Sequence, residues 1–268
     1  MPSFAADPTL GGIVASALAG PRRPYTGAVR DFVLGAVLMN GAGELLRFGG
    51  EVMKNVAGFD VSRLLCGSMG VLGVIASVSL KVLPRPPLEL TLCFEMGRDE
   101  ALAAFQRWAM RPLPLSGAAW QADRAYLRLS GSLAAVAAAR RQIGGMELGA
   151  QAASPFWRHA AEGSLPYPES TALWRFSVPQ NTPPLPVPGE LLIDWGGALR
   201  WHATDRPAAA LREIAQAHAG TASCWRGAVP PGERLHPPGP LERRLHERLK
   251  AQFDPRGIFN RGRLIAGL

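Results

Sequence analysis

The sequence of 268 residues predicts an α+β fold, and three features carry that prediction. From Glu89 onward, short β-branched and apolar runs alternate twice with helical patterns, the arrangement of an antiparallel sheet with helices on one face. Before Glu89, two apolar runs flank a turn signal at Asn40-Gly41, and a third runs from Val71 to Leu83. Glycines at 67, 70 and 73 precede most of that third run, where the backbone either turns with positive φ or closely approaches another group.

The elements follow in order. Thr9 to Ala19 is small and apolar, with Thr9 placed to cap a short helix. Ala28 to Met39 reads as a strand and Leu45 to Phe48 as its return, a hairpin. A polar loop from Gly49 to Gly58 leads into a short helix at Asp60 to Cys66, which Asp60 caps. Val71 to Leu83 is a long strand with Val74, Ala76, Val78, Leu80 and Val82 on one face and Ser77, Ser79 and Lys81 on the other. Pro84-Arg85-Pro86-Pro87 ends it and marks a domain boundary.

The second part begins with strand Glu89–Glu95, helix Asp99–Met110, a hairpin from Ala118 to Leu129 turning at Asp123-Arg124, and helix Ser132–Ile143. A similar set follows: strands Ala172–Val178, Leu191–Trp195 and Leu199–Ala203, helix Pro207–Ala219 and strand Ala222–Trp225, with a proline-rich connector at Pro179–Pro188. The last element is a charged helix, Leu241–Phe253, stopped at Asp254-Pro255.

Composition narrows the functional classes. At 47% hydrophobic residues the chain can bury one large core or two modest ones. No apolar run reaches the roughly 20 residues that span a bilayer, and Met1 to Leu10 lacks the pattern of a secretory signal, so a cytoplasmic protein is expected. Cys66, Cys93 and Cys224 lie far apart without metal or redox spacing, and the five histidines form no pair that would hold a metal; none is expected. The net charge of +8 comes from scattered arginines, with only Lys54, Lys81 and Lys250 as lysines. No nucleic-acid motif accompanies that charge, so no nucleic-acid partner is expected.

The glycines at 67, 70 and 73 space as G-x-x-G-x-x-G. This is neither the dinucleotide fingerprint, which needs G-x-G-x-x-G between strand and helix, nor a Walker loop, which needs Gly-Lys-Ser or Gly-Lys-Thr. A nucleophile elbow at Ser68 fails because position 66 is cysteine. Two readings stay open on spacing alone: a phosphate or cofactor cradle, or a turn needing positive φ. Arg22, Arg23, Arg30 and Arg47 are candidates for orienting a carboxylate or phosphate, against surface arginine as the plainer reading. Trp195 and Trp201 are candidates for stacking on a ring, against core packing.

The runs Thr9-Leu10-Gly11-Gly12, Gly20-Pro21-Arg22-Arg23-Pro24-Tyr25-Thr26-Gly27 through Gly35, Phe48-Gly49-Gly50, and Lys54 through Asp60 closely resemble the FAD-binding subunit family of bacterial glycolate oxidases. The Gly67 loop, Ile193-Asp194-Trp195-Gly196-Gly197 through Trp201, and the closing Phe253-Asp254-Pro255 through Leu264 belong to the same match, which covers nearly the whole chain. The resemblance implies part of a PCMH-type FAD-binding domain of the vanillyl-alcohol-oxidase kind over residues 1–86, an antiparallel α+β cap over 87–252, and a segment over 253–268 returning toward the flavin site. It implies FAD as cofactor, with Thr9, Gly11, Gly12, Lys54, Gly67, Ser68, Gly70, Gly73, Val74 and Asn260 as cofactor-binding candidates and no catalytic residue assigned.

The same resemblance implies partners: a catalytic flavoprotein subunit and an iron–sulfur subunit, in a complex that oxidises glycolate to glyoxylate at the inner face of the cytoplasmic membrane. Relative to that family the chain starts near the second flavin-binding half, so an N-terminally truncated flavin domain is expected. In the catalytic relatives the cap carries a histidine-bearing metal and substrate motif, where this chain reads Trp195 to His202 with one histidine, so an accessory role is expected. Arg261 stands where relatives often have proline. The alternative is a non-catalytic assembly subunit that no longer binds FAD by itself.

Overall fold

The computed structural model describes residues 8–52 and 59–268, which divide into two compact units. One unit comprises residues up to 19, 27–83 and 230–268; the other comprises 20–26 and 84–229.

In the first unit, Thr9 Oγ1 accepts the Gly12 N–H at 3.0 Å and starts helix α1 (Leu10–Ser16), which ends where Ala17 turns left-handed. A three-stranded antiparallel sheet follows, from β1 (Val33–Met39), β2 (Leu45–Gly49) and β3 (Val74–Leu80), in the order β2-β1-β3. Asn40 shapes the β1–β2 turn, its Oδ1 accepting the N–H groups of Ala42 and Glu44 at 3.0 and 2.9 Å. Asp60 caps the one-turn helix α3 (Val61–Leu64) through the Arg63 N–H. Ala36, Leu38, Leu65, Val71 and Leu72 form the core, closed by Phe48, Ile75, Val78 and residues of the last helix, Pro240–Phe253 (α8).

The third strand departs from the expected alternation. Val78 lies opposite Ala36 and Ile75 opposite Leu38, so both face the core although three positions apart. A bulge at Ala76 inserts the extra residue that reverses the pleat, and Val74 turns outward. The strand is also shorter than expected, because Val71 and Leu72 leave the ladder to fill the core.

The second unit carries an eight-stranded sheet in which every registered pair is antiparallel. Its elements are α2 (Arg23–Thr26), β4 (Leu88–Glu95), α4 (Arg98–Ala109), β5 (Leu115–Gln121), β6 (Arg124–Gly131), α5 (Leu133–Ile143), β7 (Met146–Leu148), α6 (Ala150–Glu162), β8 (Leu173–Ser177), β9 (Glu190–Asp194), β10 (Leu199–Ala203), α7 (Ala208–Ala217) and β11 (Thr221–Arg226). The order β11-β8-β10-β9-β5-β6-β4-β7 places two similar halves edge to edge. Each half runs fourth-first-third-second, the order of a ferredoxin-like β-α-β-β-α-β unit.

The second half lacks the helix between its first two strands, and the proline-rich connector takes that place. Fully buried Arg200 donates to the carbonyls of Thr182, Pro183 and Gly197, satisfying backbone that a helix would have satisfied internally.

Helices α4 and α5 cover Leu92, Leu127 and Leu129, and α7 covers Trp174 and Phe176. The opposite face is not bare, as an all-helices-on-one-face arrangement requires. Helix α6 lies there, with Trp157 Nε1 donating to Thr91 Oγ1 at 2.9 Å and the Arg128 guanidinium 4.5 Å from its ring. Pro155 inside α6 and the glycines around β7 hid both elements from pattern reading. The β5–β6 turn falls at Ala122-Asp123, one residue earlier than expected, with both residues at positive φ.

Candidate cofactor site

Within the first unit, α1, the Gly67 loop and Asn260 come together. The N–H groups of Gly67 and Met69 donate to the carbonyls of Val14 and Ala15 at 3.2 and 2.9 Å, so the loop hangs from the end of α1. Asn260 Nδ2 donates to Met69 O at 2.7 Å from the other side. Ser68 is buried, its N–H bonded to Leu65 O and its carbonyl accepting from Val71. Val74 stands outside the loop, exposed at the start of β3, and Lys54 lies outside the described residues.

The glycines divide into two groups. A Cβ at Gly73 would lie 2.4 Å from Met39 O, one at Gly70 would lie 2.8 Å from Asn260 Nδ2, and one at Gly11 would lie 3.2 Å from Ile75 O. The protein's own packing accounts for these three. A Cβ at Gly12 would lie 3.0 Å from the capping Thr9 Oγ1 and touch nothing else, and one at Gly67 would meet only the Ala17 methyl at 3.5 Å, with φ 85 there also favouring glycine. Those two leave bare backbone beside a fixed loop, which fits the close approach of a flat ring such as a flavin. Neighbouring Cys66 is no nucleophile, because burial and the charge of Asp60 push its thiol up to about 11.

A lysine that sequence reasoning passed over fixes the loop from below. Lys250 Nζ, on α8, donates to Val71 O at 2.7 Å, Phe259 O at 2.7 Å and Asp254 Oδ2 at 2.6 Å. Burial raises the Asp254 carboxyl, but the bonds from Lys250 and from the N–H groups of Phe259 and Ile258 outweigh it and hold the group below its ordinary range. The available signal was a lysine retained in so arginine-rich a chain: a compact ammonium can reach three acceptors at one point.

The other candidates fall elsewhere. Arg22 pairs with Glu89, while Arg30 and Arg47 are exposed. Trp201 is core, its ring edge-on to Trp225 at 5.3 Å. His202 is buried between Pro188 O and Glu190, and burial pulls its imidazole down to about 4. Arg23 and Trp195 meet, with the guanidinium 4.5 Å from the ring centroid.

No family model matches the chain. It is 46% identical over 271 residues to glycolate oxidase subunit GlcE of Escherichia coli, covering all of this chain and 75% of that protein. It is also 36% identical over 91 residues to glycolate oxidase subunit GlcD of Bacillus subtilis, covering 34% of this chain and 19% of that one. Its fold matches alkyldihydroxyacetonephosphate synthase with a TM-score of 0.60 at 13% identity, covering 93% of this chain and 57% of the synthase. Fold and relatives together define an α+β chain of the class to which FAD-linked oxidoreductases belong. Within that class the chain belongs to the glycolate oxidase subunit GlcE family.

Proposed function

We propose that the chain is the FAD-carrying accessory subunit of a complex that oxidises glycolate to glyoxylate and passes electrons to an iron–sulfur partner, working beside a catalytic flavoprotein subunit at the inner face of the cytoplasmic membrane. The observation that carries this reading is the bare backbone at Gly12 and Gly67 beside a loop pinned by α1, Asn260 and Lys250. A flavin held here would supply redox chemistry, carrying electrons on from the oxidised 2-hydroxy acid. The chain's own residues bind and orient. Thr9 fixes the start of α1, Asn260 and Lys250 hold the carbonyls of Met69 and Val71, and Gly12 and Gly67 admit the ring. Lys54 completes the set as a cation for the cofactor's phosphates.

The test is purification followed by absorbance spectroscopy. A yellow protein with about one flavin per chain is expected. Gly12→Leu, which places a good helix former in α1, is expected to lose flavin while melting within about 2 °C of flavin-stripped wild type. A colourless wild-type chain that still assembles with its partner subunits supports the assembly-subunit alternative instead.

A further inference from the structure

Within the second unit, the turn after β9 concentrates strain and unmatched charge. Asp194 is fully buried; one oxygen accepts the Trp195 N–H at 2.7 Å, and the other has no hydrogen-bond partner among the described residues. Trp195 lies at φ 54, a region that a bulky side chain adopts only under strain, and Gly196 and Gly197 continue at positive φ. The indole is fixed by Nε1 donating to Gly20 O at 3.0 Å. Two guanidiniums approach its ring, Arg23 at 4.5 Å and Arg175 at 5.1 Å from the centroid. Among the described residues, neither guanidinium has an ion pair or a hydrogen bond.

The electrostatics of this cluster are unbalanced. The charges facing Asp194 are Arg128 from β6 and Arg175 from β8, and Tyr25 from α2 feels the Asp194 field in turn. Burial lowers Arg175 to about 10, with repulsion from Arg23 adding to the effect and Asp194 opposing it. Two guanidiniums thus face one carboxyl, which burial itself favours in the neutral form; Glu89 also balances Arg128, and Arg23 adds positive charge beside Arg175. A largely buried guanidinium such as Arg175 beside a second cation is costly unless an anion completes the pair, and planar guanidiniums match a carboxylate edge to edge.

We propose that Arg23 and Arg175, set around the Asp194–Trp195 turn, form a binding site for a small organic carboxylate in this subunit itself. The buried Trp195 ring anchors both guanidiniums, and exposed Arg23 and partly exposed Arg175 form the open side. The choice of carboxylate over inorganic phosphate rests on the function proposed above; the positive surplus does not.

Isothermal titration of the full chain with glycolate, glyoxylate and inorganic phosphate tests the site, with flavin absorbance recorded on the same preparation. Glycolate or glyoxylate is expected to bind, and Arg175→Met to weaken binding by roughly ten-fold or more. Arg23→Gln, at an exposed position where folding is not at stake, is expected to do the same. Absence of carboxylate binding, unchanged affinity in Arg23→Gln, or preference for phosphate overturns the proposal. A yellow protein that binds no carboxylate removes this site and leaves the flavin reading standing. A colourless protein that binds carboxylate does the reverse.

Discussion

At the scale of single residues, Asp194 and Lys250 show how burial decides what a charge does. Asp194 has one backbone donor and only indirect help from Arg128 and Arg175, so desolvation dominates and raises its carboxyl from 3.8 to about 7. The folded state therefore holds a proton that the unfolded chain releases, and stability falls as pH rises from about 4 to about 7. The penalty reaches about 4 kcal/mol above that window. Asp194→Asn is thus expected to raise the melting temperature by several degrees at pH 8 and by clearly less at pH 5; an equal gain at both values would contradict the assignment. Lys250 and Asp254 are the opposite case, because every strong partner lies within hydrogen-bond distance.

At the scale of elements, that pair joins α8, the closing segment and the Gly67 loop, three pieces far apart in sequence. Lys250→Met would strand a buried carboxylate and two carbonyls, and should cost about 3 kcal/mol in denaturant unfolding. The double variant Lys250→Met with Asp254→Asn should cost less than the single one, since no unpaired charge remains. A double variant that simply adds two losses would show that the ion pair is not the organising contact. The expected strands and helices of the second unit were legible because alternation and helical periodicity survive in an amphipathic sheet and its covering helices. Helix α6 was not, because Pro155 breaks its pattern, and the β3 bulge was not, because strict alternation was the simplest reading of its residues.

At the scale of the whole molecule, the two halves of the large sheet meet at β5 and β9, where the one registered pair is Trp120 with Ile193. Ile193, from the second half, is fully buried in the core that α4 and α5 cover in the first. Ile193→Ala should cost about 2–4 kcal/mol, read by chemical denaturation; a loss below about 1 kcal/mol would mean that the halves hold together without this side chain. The sequence by itself determined the α+β class, most elements and the family, because local periodicity and glycine-bearing motifs are written in consecutive residues. Only the tertiary structure decided that Gly67 has room for a Cβ and Gly12 meets only its own helix cap while Gly11, Gly70 and Gly73 pack against distant residues, and that Lys250 fixes the Gly67 loop. It alone brought Arg23, Arg175 and Asp194 around one turn. Those outcomes depend on which distant residues share a place and on how far water is excluded there. One-dimensional spacing records neither.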